Sequence, residues 1–208
     1  SLRRQRQMCI RDSFVETGGC YFGLENVEAW DEARDARLYA GPHPVVAHPP
    51  CQRWGQLGLV NFVRWGGDHN RPGNDGGCFQ SALNAVREWG GVLEHPATTR
   101  AWSHHGLTKP DGLGWQRCID GGWVCEVWQS AYGHPANKAT WLYAFGVMPP
   151  DLDWRTVVGT HQVGRKRTTG ISKPHLNQRQ SAATPIAFRD ALLSIARSAS
   201  PGSFRKVA

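Results

Sequence analysis

Cys51 closes the stretch Val45-Val46-Ala47-His48-Pro49-Pro50-Cys51-Gln52-Arg53. A β-branched run stopped by two prolines reads as a short buried strand whose end must leave the sheet. Pro49 and Pro50 fix φ and hold the exit stiff, so the thiol is presented in one place. Beside Arg53 it is a candidate nucleophile, because a nearby cation favours the thiolate. The alternative is an inert cysteine in a proline turn. Glu94 ends a second apolar run, Gly91-Val92-Leu93-Glu94-His95-Pro96. A partly buried carboxyl of raised pKa there could give or take a proton; equally, it could cap a helix or pair with an arginine. Lys138 closes the turn Tyr132-Gly133-His134-Pro135-Ala136-Asn137-Lys138 as a phosphate ligand or as a solvated charge. His48, His95 and His134 each precede a proline, with no H-x-E or paired-cysteine spacing, so no metal site is expected.

The elements that must position these groups follow from periodicity. Phe79, Ala82, Leu83, Val86 and Trp89 recur at helical spacing and predict a helix over 78–89, stopped by Gly90-Gly91. Strand, helix and the strand at Gly91–Pro96 make a βαβ unit. Trp123–Gln129 and Ala139–Phe145 predict two more strands, a hairpin-like antiparallel edge. Val27–Trp30 reads as a strand edge. Residues 55–75, rich in Gly, Asn and Asp, predict a long lid-like loop beside the site. Thr184 as N-cap and Pro185 at the first helical position open a last helix running to about Ala199. The expected fold class is α/β: a mostly parallel, Rossmann-like sheet with flanking helices.

At 208 residues, with 40% apolar residues, the chain suits one domain with a real core. No apolar run approaches a membrane span and no secretory signal is read, so a cytoplasmic setting without a membrane partner is expected. Six cysteines without a CxxC pair suit a reducing compartment. The net charge of +7 suits a polyanionic partner. Residues 1–13 resemble a translated sequencing-adaptor remnant and are set aside, leaving a single domain over 14–199 and a flexible tail over 200–208. The N-terminus of the fold is therefore expected to be incomplete. Residues 161–180 carry Arg165, Lys166, Arg167, Lys173 and Arg179 without an acid and predict a basic loop able to meet phosphate. Trp54 and Trp65 are candidates to stack on a base.

Taken in order, Ala47-His48-Pro49-Pro50-Cys51-Gln52, the Glu94 strand end, Gly133-x-Pro135 before Lys138, and Ala183-Thr184-Pro185 before the last helix resemble the DNA cytosine-C5 methyltransferases. The resemblance is nearest to short phage and prophage relatives with an Ala-His-Pro-Pro-Cys motif, and it spans roughly residues 35 to 197. It implies a methyltransferase-type fold, S-adenosylmethionine as methyl donor and DNA as partner. Cys51 would add to C6 of a flipped cytosine and Glu94 would assist at N3. Pro49, Pro50, Gln52, Arg53, His134 and Lys138 would hold the substrate, and Asp35, with Pro49, would border the cofactor. The family's Phe-x-Gly-x-Gly loop is not found at Tyr21-Phe22-Gly23-Leu24-Glu25. The stretch between Lys138 and Thr184 is too short for a separate reading domain. Two other readings stand beside this one: a base- or nucleotide-modifying enzyme without S-adenosylmethionine, and a catalytically silent DNA binder.

Overall fold

The computed structural model describes residues 10–14, 18–163 and 173–199. Seven strands make one sheet in the order β2-β1-β3-β4-β7-β6-β5. They are β1 (Ile10–Ser13), β2 (Val27–Trp30), β3 (Val45–Ala47), β4 (Gly91–Pro96), β5 (Gln116–Arg117), β6 (Trp123–Trp128) and β7 (Ala139–Phe145). The helices are α1 (Gln56–Trp65), α2 (Cys78–Trp89), α3 (Arg100–His104), α4 (Gln178–Ala182) and α5 (Ile186–Arg197). The α/β class is as expected, but the sheet is mixed rather than mostly parallel. β2, β1, β3 and β4 are mutually parallel, whereas β4–β7, β7–β6 and β6–β5 are antiparallel. For the β6–β7 pair the reason is chain length: β6 reaches β7 through one 3-10 turn (Gln129–Tyr132) and a short loop, too little for the crossover that a parallel pair needs.

Two apolar layers sandwich the sheet. On one side, Phe79, Ala82, Leu83 and Val86 of α2 pack on Val45, Ala47, Leu93 and Tyr143. On the other, Phe188, Leu192, Leu193 and Ile195 of α5 pack on Ile10, Val46, Val92 and Leu142. The strands therefore alternate strictly, one residue toward α2 and the next toward α5, as period-2 geometry requires. The α2 helix falls where its periodicity placed it. The last helix starts one residue later than expected, at Ile186 with Pro185 in the capping position.

Two expectations are corrected. Ile10–Ser13 are not an appendage outside the fold: they form β1, paired with β2 on one side and β3 on the other. The polar look of this segment is compensated by tertiary partners that no local reading supplies. Arg11 pairs with Glu28 and lies 5.0 Å from the ring centroids of both Trp30 and Tyr39, a cation–π arrangement. Residues 55–75 are likewise not one loop, since Gln56–Trp65 forms α1. Glycines flank this helix and much of its apolar surface stays outside the core: Val63 is 78% and Trp65 69% exposed. Most of the basic loop (164–172), residues 1–9 and the tail from 200 lie outside the described residues. No helix among the described residues is long and apolar enough to cross a membrane.

Gly91 opens β4 at φ +126, and a β-carbon there would strike the Val45 backbone of the neighbouring strand. Gly91→Ala is expected to destabilise the fold by ~3 kcal/mol or more, from strain and loss of close strand approach combined. Urea denaturation of the variant against the parent measures it.

Candidate active site

The alternation that builds the core also builds the site. On the α5 face, each strand that contributes an apolar residue carries a polar one two positions nearer the same edge of the sheet. Ile10 is followed by Asp12, Val46 by His48, Val92 by Glu94 and Val127 by Gln129; antiparallel β7 brings Thr140 two positions before Leu142. The carboxyl ends of β1, β3 and β4 and the start of β7 thus deliver Asp12, His48, Glu94 and Thr140 side by side. This edge holds a topological switch point, because β1 is flanked by β2 on one side and by β3 on the other. Open α/β sheets bind ligands in such a crevice, outside the strand carboxyl ends.

His48 is the hub. Its Nδ1 lies 3.1 Å from Glu94 Oε2, and its Nε2 lies 3.1 Å from the Tyr21 hydroxyl and 3.6 Å from Asp12 Oδ1. The other Glu94 oxygen, Oε1, accepts from Gln129 Nε2 at 3.1 Å, and the same amide donates to Thr140 Oγ1 at 3.0 Å. Burial acts to lower the His48 pKa, but the Glu94 hydrogen bond and the Asp12 and Glu94 charges outweigh it, leaving His48 above its ordinary value. Burial acts to raise Glu94, and the His48 hydrogen bond and charge outweigh that, leaving Glu94 below the usual carboxylate range. The expected raised pKa at Glu94 is therefore corrected: with both oxygens engaged, Glu94 is held on the carboxylate side and His48 on the protonated side of their ordinary values. The acid whose pKa is raised is Asp12 instead. Fully buried, with neither oxygen hydrogen-bonded among the described residues, it is pushed up to about 8 by desolvation, against the opposing pull of His48.

Cys51 follows β3 in a tight turn, its carbonyl accepting from Trp54 N at 3.0 Å and Gly55 N at 3.2 Å. Pro49 is buried, while Pro50, Cys51 and Gln52 are exposed. Neighbouring atoms and then the Glu94 charge push the Cys51 thiol up, with Lys138 opposing. This corrects the expectation of a thiolate favoured by Arg53: the cation in electrostatic reach of the thiol is Lys138, which also donates to the Ala182 carbonyl at 3.3 Å. Glu94 and Lys138 thus act on the Cys51 thiol in opposite directions, and His48 is bonded to Glu94.

Other residues singled out in the sequence go elsewhere. Arg53 turns into a separate cleft with Arg100 and His104. His134 is buried in its own turn, where Nδ1 accepts from Ala136 N at 3.1 Å, so it organises the loop before Lys138. Asp35 is occupied by Arg37, whose Nε and Nη2 reach its two oxygens at 2.7 and 2.8 Å. Arg37 in turn bonds Gly76 O beside the start of α2. The acid that directly follows β2 is Asp31, which is buried. His95 points toward α2 and packs edge-on against Phe79, a neutral core histidine lowered to about 4 by burial. Trp54 is 3% exposed and packs with Phe79, so of the two tryptophans singled out only Trp65 is exposed. Among the described residues no group of His, Cys, Asp and Glu is arranged to hold a metal ion.

The sequence reading missed Asp12, His48 as hub, Tyr21 and Gln129. It also missed a signal, because it set residues 1–13 aside. Once Ile10–Ser13 is β1, the segment that follows it reads Phe14-Val15-Glu16-Thr17-Gly18-Gly19. That agrees with Phe-x-Gly-x-Gly at Phe14 and Gly18 and carries Glu16 at the middle position. No family model matches the chain, and no curated protein matches it significantly.

An acid whose pKa is higher folded than unfolded stabilises the fold only while protonated. The Asp12 contribution is therefore complete below its ordinary value of 3.8 and is lost as pH rises toward about 8. Asp12→Asn is expected to gain stability over the parent across that window, by at most ~1.4 kcal/mol per pH unit, and to hold a constant advantage above it. Denaturant titrations at pH 5, 7 and 9 test this; parallel pH profiles would remove Asp12 as a buried titrating group.

Proposed function

We propose that the chain is a DNA cytosine-C5-methyltransferase-like enzyme acting from the crevice at the carboxyl ends of β1, β3 and β4. One observation carries the reading: Glu94 is anchored on β4 by His48 and Gln129 at 3.1 Å each, at the sheet edge where the adjacent strand β3 runs into the proline turn that presents Cys51. Cytosine C5 is a poor nucleophile until a group adds at C6, and that addition is easier when N3 receives a proton. The depressed Glu94 and raised Cys51 suggest a division of labour. The resting pair is thiol and carboxylate. When a base enters, the thiol proton passes to the Glu94 carboxylate and on to N3, while sulfur forms its bond to C6. His48 positions Glu94 and holds it ionised between turnovers. Lys138 favours the thiolate as it forms, and its charge suits the phosphate of a flipped nucleotide.

The residues fit S-adenosylmethionine in three respects. The segment after β1 keeps Phe14 and Gly18 of the family's loop. Gly18 adopts φ +72 with no atom within 4 Å of a β-carbon position, which leaves room for close backbone approach. Asp31, directly after β2, is the acid this reading assigns to the ribose hydroxyls, by analogy with acids at that position in dinucleotide sites. It replaces Asp35 in this reading. When bound, the cofactor supplies the electrophilic methyl group for C5.

A catalytically silent DNA binder is the second reading, and the raised Cys51 thiol favours it. Duplex DNA containing 5-fluorocytosine, incubated with S-adenosylmethionine, separates the two. The enzyme forms a covalent adduct that Cys51→Ala abolishes and that Glu94→Gln slows by ~100-fold or more, with the fold intact. Salt-sensitive binding without an adduct supports the silent binder. Calorimetric titration with S-adenosylmethionine is expected to give micromolar affinity, weakened about tenfold by Asp31→Asn; heat-free titration at millimolar ligand would leave the modifying enzyme without this cofactor.

A further inference from the structure

On the α2 side of the molecule, a cleft of about 330 Å³ opens next to the Cys51 turn. Arg53, Arg100, Ser103 and His104 line it, over Trp54 and Gly73. Three chain segments meet here and are tied together by their backbones. Gly73 N donates to Arg53 O at 2.9 Å, and Arg100 N donates to Trp54 O at 3.1 Å. The Trp54 indole N–H reaches Asp75 at 2.8 Å, so the floor is fixed as well. Gly73 is required at φ +83, where a β-carbon would press on the Trp54 ring.

The charge balance of the cleft is one-sided. Among the described residues, neither Arg53 nor Arg100 forms an ion pair or a side-chain hydrogen bond. Asp75, the acid of these three segments, is engaged by Gly77 N and Phe79 N as well as by Trp54. Two guanidiniums and an imidazole around one recess make a donor set for an oxyanion, while the Ser103 hydroxyl donates to the Arg100 carbonyl at 3.1 Å. Carboxylates and halides would leave several of these donors unused.

We propose that this cleft binds a backbone phosphate of the strand whose base is presented to Cys51, a subsite that rests on the function proposed above. Arg53 lies two residues beyond Cys51 within one turn, so a phosphate seated there fixes the register of the strand relative to the thiol. The cleft thereby makes a contact to the strand that is independent of base identity, as phosphate contacts are.

Fluorescence anisotropy with a labelled single-stranded 12-mer across a sodium chloride series tests the assignment, without cofactor or methyl transfer. Arg53→Gln/Arg100→Gln is expected to weaken binding about tenfold and to reduce the log–log salt slope by ~0.7, the value for one lost phosphate contact on a single strand. Arg64→Gln/Arg71→Gln, which removes the same charge from exposed α1 and the loop after it, is expected to leave the slope unchanged. Equal losses in both pairs would overturn the cleft in favour of net charge alone. Should the first pair unfold, Arg53→Gln on its own carries the comparison. Titration with deoxycytidine monophosphate distinguishes the source of the phosphate: if the mononucleotide binds in an Arg53- and Arg100-dependent way while the oligonucleotide is indifferent to both, the backbone assignment falls. Loss of binding in the first pair, with no 5-fluorocytosine adduct from the parent, would keep the cleft and discard the transferase.

Discussion

The contact between His48 and Glu94 is the constraint on which the rest of the site depends. A carboxylate taken out of water at the end of β4 is costly unless its charge is matched and its oxygens are hydrogen-bonded. His48 supplies the charge at 3.1 Å and Gln129 the second donor, also at 3.1 Å. Each partner imposes a requirement of its own. His48 needs β3 beside β4 in register, and Gln129 needs β6 to end beside the start of β7. Tyr21, on the far side of His48, needs the segment after β1 to fold back over the sheet. Arg189 of α5 secures that segment by donating to Cys20 O at 2.9 Å. One buried pair therefore ties four strands, a loop and the last helix to one geometry.

The reversal of strand direction after β4 has a chemical consequence. A parallel neighbour would begin at the other end of the sheet and reach this edge with its own carboxyl end. Antiparallel β7 instead starts here, bringing Lys138 and Thr140 in from a turn while β6 arrives with Gln129. The crevice is thus furnished from strand ends on one side and from a hairpin on the other. Acids and the histidine come from the former; the amide, the hydroxyl and the ammonium come from the latter.

Much of the frame is legible in the chain. The apolar run before Pro49-Pro50, the 78–89 periodicity, and the strands at Gly91–Pro96 and Ala139–Phe145 follow from local patterns that tertiary contacts reinforce. Cys51 and Glu94 stand out because prolines interrupt strands beside them. The Ile10–Ser13 strand was hidden because its arginine and aspartate look solvated until Glu28, Trp30, Tyr39 and His48 surround them. Asp12 was lost with it. Helix α1 was obscured for the opposite reason: Leu59, Val60, Val63 and Trp65 are exposed, so they form no core stripe that would announce it.

By itself the sequence determined the α/β class, the central helix and the two strand ends carrying Cys51 and Glu94, since period, proline and β-branching act within a few residues. Only the tertiary structure decided the protonation of the site. The sequence pattern favoured a protonated Glu94 and an activated Cys51. The fold sets His48 against Glu94, buries Asp12 without a hydrogen-bond partner among the described residues, and sends Arg53 into another cleft. Charge interactions and desolvation depend on distance through space, and distances between strands are set by register and sheet order, which no local spacing encodes.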